Sequence, residues 1–198
     1  ILIIDFGSHF THLIPRRVRE AKVYSEIHPH NVTFEEVKRF NPTGMILSGG
    51  PMSVYDNDAP DIDEQILKMG IPILGICYGL QLICKKSGGK VEPAKDREYG
   101  KAILSIVEIS PLFADVSKQS KVWMSHGDYL TELPVGFKAI AKSDHSPIGA
   151  AANEAEKIYG VQFHPEVAHT DEGKKIVHNF LFNICKCYGD WTPQNFIE

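Results

Sequence analysis

The sequence predicts an α/β fold: an open, mainly parallel central sheet with helices on both faces, followed by an antiparallel β extension in the second half. Three observations carry this expectation. Short apolar runs alternate with helical patterns as far as Lys90. Beyond Lys90, short strands follow one another with turn residues between them. Polar or glycine-rich turns (Asp5-Phe6-Gly7, Ser48-Gly49-Gly50-Pro51 and Gly75-Ile76-Cys77-Tyr78-Gly79) close three of the early apolar runs. In an open α/β sheet that edge is where ligands bind.

The elements follow in order. Residues 1–4 form a first apolar strand. Ser8 is placed to cap a helix that turns Leu13, Ile14, Val18 and Ala21 inward. Pro15 kinks that helix or marks a restart. Arg16, Arg17 and Arg19 face outward, as a solvated face or as a phosphate contact. A second strand is expected at 23–27 and a helix at 33–40, where Thr33 and Glu36 have capping-box spacing. Strands at 44–47 and 71–76 flank a helix at 61–69. The second half contributes strands at 103–107, 121–124, 137–141, 148–152 and 158–163. A closing helix at 171–187 carries Ile176, Val177, Phe180, Leu181 and Ile184 on its inner face.

The 198 residues suffice for one domain with a substantial core, expected at 1–189, with 190–198 beginning a linker. A formal net charge of −4 gives no reason to expect nucleic acid or an anionic membrane as partner. No apolar run approaches the ~20 residues of a membrane span. No signal peptide is visible, and the four cysteines (Cys77, Cys84, Cys185 and Cys187) need not form staples in a chain of this size, so a cytoplasmic setting is expected. Neither a metal site nor a nucleotide loop has its spacing here, so no cofactor is expected in this chain.

The chemistry centres on Cys77. An apolar strand runs into Gly75-x-Cys77-x-Gly79, and a helical pattern follows at once. This is a strand-to-helix elbow with a thiol as nucleophile; the glycines permit the tight turn, and the helix N-terminus favours thiolate. His164 ends another apolar strand, Pro165 fixes the turn, and Glu166 can receive the second imidazole N–H. Attack on a carbonyl needs N–H donors for the oxyanion. Tyr78 offers one, and the Gly49-Gly50-Pro51 turn suits a second. His126-Gly127-Asp128 at a strand end binds a small zwitterion or closes a hairpin.

Taken together, 48–51, Gly75-Ile76-Cys77-Tyr78-Gly79-Leu80-Gln81 and Gln162-Phe163-His164-Pro165-Glu166 resemble the class I (triad) glutamine amidotransferases. Within them the likeness is to the amidotransferase domains of GMP synthases, on 5–8, 16–20, 97–101, Trp123 to Asp128 and Trp191-Thr192. The loop at 8–12 departs from the family pattern. The resemblance implies a flavodoxin-like sheet and hydrolysis of L-glutamine through a cysteinyl thioester at Cys77. It implies His164 as proton shuttle, Glu166 as its orienter, and the N–H groups of Gly50 and Tyr78 as oxyanion hole. Gln81, Ser125, His126, Gly127 and Asp128 would lie around the glutamine. Ammonia would pass to an ATP-pyrophosphatase (synthetase) domain, fused or separate, which uses ATP and Mg to convert XMP to GMP. Family behaviour also implies low basal glutaminase activity without that domain. The alternatives are the same chemistry in anthranilate, carbamoyl phosphate or CTP synthesis, or a non-catalytic module that binds glutamine or a nucleotide.

Overall fold

Apolar residues two apart in sequence decide how the first half folds. In the computed structural model, which describes residues 1–194, the strands are β1 (Leu2–Asp5), β2 (Glu26–Pro29), β3 (Met45–Leu47), β4 (Ile73–Ile76), β5 (Lys90–Ile106), β6 (Gln119–Glu132), β7 (Lys138–Ser143), β8 (Ala150–Asn153) and β9 (Ile158–Val161). The helices are α1 (Leu13–Glu20), α2 (Phe34–Phe40), α3 (Glu64–Leu67), α4 (Tyr78–Lys86) and α5 (Gly173–His178). Ile3, Ile46, Leu74 and Ile76 share one face of the sheet with Ile14 and Val18 of α1 and Ile176 of α5. Leu2, Ile4, Met45, Leu47 and Ile73 share the other with Val37 of α2, Ile66 of α3 and Leu80 of α4. Full burial of each such side chain contributes about 1.5–3 kcal/mol.

Among the described residues the strands form one sheet in the order β2-β1-β3-β4-β9-β8-β7-β5-β6. Pairing is parallel from β2 to β9 and antiparallel from β9 to β6. This is the flavodoxin-like, mainly parallel sheet with an antiparallel extension that the sequence predicts. β4 and β9 are neighbours, with Ile76 opposite Val161. Their C-terminal ends therefore bring residue 77 and the segment after 161 side by side. No described helix is long and apolar enough to cross a membrane.

Several boundaries differ from expectation. Ser8 caps only a turn, accepting from Phe10 N at 3.0 Å, and α1 begins at Leu13 after His12. Pro15 then falls in the first turn, where a missing N–H costs no helical bond. β2 starts at Glu26 rather than residue 23, because Val23 N still bonds Val18 O at the end of α1. α3 is a single turn, capped by Asp63 instead of starting at residue 61. The closing helix is α5 followed by a wider π-wound segment, Asn179–Ile184, in which Cys185 N reaches five residues back to Phe180 O. Its inner face is the expected one: Ile176, Val177, Phe180, Leu181 and Ile184 are buried.

The largest correction concerns β5 and β6. They span 17 and 14 residues, a long hairpin far exceeding the strands expected at 103–107 and 121–124. His126, Gly127 and Asp128 lie inside β6, not in a turn at its end. Pairing holds them there: Glu98 opposes His126 and Pro93 opposes Asp128, with residues 94–97 bulging out between the two pairs.

Candidate active site

Cys77 sits at the elbow. β4 ends at Ile76, α4 begins at Tyr78, and Cys77 between them has φ +51° and ψ −106°. A non-glycine residue held in such a sparsely populated region costs about 1–3 kcal/mol, a strain typical of functional sites. Cys77 N donates to Val161 O at 2.8 Å, which ties the elbow to β9. A Cβ at Gly75 would stand 2.7 Å from Leu80 N, and one at Gly79 2.5 Å from Leu47 O. Both glycines are needed for α4 to approach the sheet this closely.

His164 follows β9 and is held at both ends of its backbone. Its N donates to Trp123 O at 2.9 Å, and its O accepts from Thr170 Oγ1 at 2.6 Å. Its Nδ1 lies 2.6 Å from Glu166 Oε1. Nε2 is buried without a hydrogen-bond partner among the described residues. The ring stands edge-on to Phe10, 5.3 Å between centroids. Burial works against charge on this imidazole, but the Glu166 carboxylate and the Cys77 sulfur outweigh it and raise its pKa to about 10. Arg17 turns inward, against expectation: its Nε donates to Glu166 O at 3.2 Å, fixing the backbone of the carboxylate residue.

Cys77 and His164 open onto a cavity of about 490 Å³ that also includes Gly50, Ser125, His126, Gly127 and Asp128 in its lining. The Cys77 thiol donates to Ser125 O at 3.5 Å. Gly50 backs against Phe6 O, which a Cβ would meet at 2.5 Å. Two of the expected residues stand behind the wall. The Tyr78 side chain turns into the core, against Phe6, with its hydroxyl donating to Pro60 O, so only its backbone is placed at the elbow. Gln81 is buried and donates from Nε2 to Asp128 O at 3.0 Å and to Gln162 Oε1 at 3.4 Å. Gln162 in turn donates to Cys77 Sγ at 3.6 Å.

Sequence reasoning took Gly49 only as part of the oxyanion turn and Arg97 only as part of the 97–101 motif, and it gave Phe10 and Gln162 no role of their own. Gly49 is where a Cβ would come 2.9 Å from His164 Cε1 and 3.6 Å from Cys77 Cβ. Arg97 projects from the β5 bulge into the cavity lining, its stem over Gly127. The adjacency of Gln162 to the Phe163-His164-Pro165-Glu166 run was the available signal for that residue. Among the described residues, no group of three or more His, Cys, Asp or Glu side chains is arranged to hold a metal ion.

A thiol at a strained elbow, an imidazole fixed by a buried carboxylate and an adjoining cavity define a cysteine-dependent transferase or hydrolase site. The family model for class-I glutamine amidotransferases matches residues 2–184, and the chain belongs to that family. Over all 198 residues it is 57% identical to the glutamine-hydrolysing GMP synthase of Listeria innocua and 54% identical to that of Brachyspira hyodysenteriae. It spans 38% of the length of each of these relatives. A solved Thermoplasma acidophilum protein, described as a candidate GMP synthase component, superposes with a TM-score of 0.81 at 33% identity. That match covers 93% of this chain and 92% of the solved one. A Thermotoga maritima glutamine amidotransferase shares the fold at a TM-score of 0.77 and 20% identity, over 94% of this chain and 97% of its own.

Proposed function

We propose that this chain hydrolyses L-glutamine to glutamate and ammonia, and that the ammonia serves GMP synthesis. The observation that carries the reading is the convergence of Cys77, His164 and Glu166 at the cavity. Cys77 Sγ attacks the side-chain carboxamide, and the N–H groups of Gly50 and Tyr78 receive the oxyanion. With its pKa raised to about 10, His164 already holds the proton that Cys77 gives up, and it passes that proton to the leaving nitrogen, so that ammonia departs and a γ-glutamyl thioester remains. Water then attacks the thioester with the now neutral His164 as base, releasing glutamate and restoring the thiolate beside the protonated ring. Glu166 keeps the imidazole oriented. Ser125, Gly127 and Asp128 shape the substrate wall, and Arg97 supplies positive charge for the α-carboxylate.

The pathway reading rests on the GMP synthase relatives and on their greater length. In it, residues 1–189 are the glutaminase unit, and 190–198 lead toward a cytoplasmic synthetase domain that holds ATP and Mg and aminates XMP. Trp191 packs on Tyr24, with Arg19 over its ring, so the described part of that segment lies along the glutaminase unit; residues 195–198 lie outside the described residues.

The test is labelling with 6-diazo-5-oxo-norleucine, read by intact mass and peptide map. One adduct on Cys77, blocked by excess L-glutamine and absent in Cys77→Ala, supports the nucleophile and the substrate. Formation of GMP from XMP and ATP with glutamine as nitrogen donor then supports the pathway. Absence of the adduct, or equal labelling of Cys84, Cys185 and Cys187, overturns the reading.

A further inference from the structure

A second buried histidine–carboxylate pair lies in the wall of the same cavity, outside the triad. His126 Nε2 is 2.8 Å from Glu98 Oε2, with both side chains almost wholly buried. His126 Nδ1 is 2.7 Å from Asp128 O. A carbonyl only accepts, so Nδ1 carries a proton. A neutral Nε2 lone pair facing a carboxylate would repel it, so one further proton lies between Nε2 and Oε2. Glu98 is completed by Ser143 Oγ, which donates to Oε1 at 3.1 Å and itself accepts from Ser146 N. Three strands, β5, β6 and the end of β7, are thereby stapled at one point.

The location of the staple gives it a task. Glu98 and His126 are register partners at the foot of the bulge formed by 94–97. On the far side of the bulge, Asp128 O is gripped twice, by His126 Nδ1 and by Gln81 Nε2. Gln81 continues to Gln162, and Gln162 to Cys77 Sγ. Ser125, one residue before His126, presents the carbonyl that the Cys77 thiol reaches. The strand facing the nucleophile is therefore clamped on both sides of its polar segment. Both ring nitrogens of His126 are occupied by protein, so the ring has no nitrogen left for substrate.

We propose that His126 and Glu98 are positioning residues that set the substrate wall of the cavity, and that His126 acts through Asp128 and the β5 bulge and not by touching glutamine. This rests on the glutaminase reading above. The design explains why a second buried carboxylate is tolerated so near the triad: it shares a proton with His126 and accepts a hydroxyl, so none of its oxygens is orphaned.

The test compares Glu98→Ala with Glu98→Gln in the intact protein. A glutamine at 98 can donate its amide N–H to Nε2 of the neutral ring while its carbonyl accepts from Ser143, so it reproduces the staple. Glu98→Ala should raise KM for L-glutamine ~10-fold, as expected for a lost buried hydrogen bond to a charged group, with kcat nearly unchanged. Glu98→Gln should return KM to within about twofold of wild type. Ser143→Ala, a smaller change that spares the pair, should shift KM in the same direction by about two- to threefold and keeps the question open to measurement if Glu98→Ala does not fold. Wild-type KM in Glu98→Ala or Ser143→Ala, or equal impairment in Glu98→Ala and Glu98→Gln, would overturn the proposal. Failure of the wild-type protein to hydrolyse glutamine or take the Cys77 label would instead sink the glutaminase reading, so the two failures are separable.

Discussion

His164 Nδ1 is bonded to Glu166 Oε1 at 2.6 Å, while Nε2 of the same ring is buried with no hydrogen-bond partner among the described residues. One nitrogen is committed to orientation and the other is left for chemistry. The residue that needs Nε2 is Cys77, whose sulfur is among the groups that raise the pKa of the imidazole to about 10. The folded-state value lies above the ordinary 6.5, so the protonated ring stabilises the fold fully below pH 6.5. That stabilisation is lost progressively as pH rises from 6.5 through about 10. The His164 ring resonance in wild-type protein should titrate far to the alkaline side of a free histidine. Glu166→Gln should bring the midpoint down, since it removes the strongest raising influence. A wild-type midpoint near 6.5 would contradict the assignment.

Gly49 leaves room for that ring. Alanine there would place a methyl 2.9 Å from His164 Cε1, and the ring cannot swing aside, with Phe10 against it and Glu166 holding Nδ1. Gly49→Ala should therefore displace the imidazole by several tenths of an ångström. A misalignment of this kind costs up to ~100-fold in kcat, with the melting temperature changed by only a few degrees. Paired glutaminase kinetics and thermal melts check this. Wild-type kcat in a folded Gly49→Ala protein would mean that ring placement is not limiting.

The convergence of Cys77, His164 and Glu166 was legible because Cys77 and His164 sit where apolar runs stop and Glu166 follows two residues on. Cys77 stands between two glycines that α4 needs in order to approach the sheet, and His164 follows the last buried strand. β1, β3 and β4 were legible because strands buried on both faces are continuous apolar runs. The β5–β6 hairpin was not. Residues 92–101 carry no strand pattern in the sequence, because the bulge at 94–97 breaks the two-residue period. The buried members of the hairpin there include Glu98 and His126, which are polar. Their burial follows from the pair they make, and sequence spacing does not reveal partners 28 residues apart. Gln162 is a similar case. It looks like the polar end of a strand, yet is fully buried between Gln81 and Cys77.

Arg97 projects from that bulge into the cavity lining, with its stem over Gly127. A substrate with an α-carboxylate gives it an acceptor. Arg97→Ala should raise KM for L-glutamine ~10-fold, the scale of a lost charge-assisted hydrogen bond, and leave kcat within a factor of a few. The discriminating probe is 4-aminobutanamide, which keeps the carboxamide but lacks the α-carboxylate. Its weaker hydrolysis should be insensitive to the substitution. Equal loss for both substrates would show that Arg97 acts on the cavity as a whole rather than on the carboxylate.

Thr170 fixes the backbone beneath His164. Its hydroxyl donates to His164 O at 2.6 Å and accepts from Trp123 N at 3.0 Å, bridging the residue that bears the imidazole to β6. Thr170→Val keeps the volume and removes both bonds. It leaves a buried carbonyl and a part-buried amide short of a partner, a cost of about 1–3 kcal/mol for the buried group and less for the other. For a domain of this size each kcal/mol lowers the melting temperature by ~2–4 °C. The activity loss should exceed what partial unfolding explains, because the freed carbonyl lets His164 drift relative to Cys77, and kcat should fall with KM nearly constant. Thr170→Ser retains the hydroxyl and should recover most of kcat while regaining less of the stability, since the methyl group is still missing. That split separates the bridge from simple packing: if Thr170→Ser were as slow as Thr170→Val at a temperature where both are folded, the hydroxyl would not be what holds His164 in place.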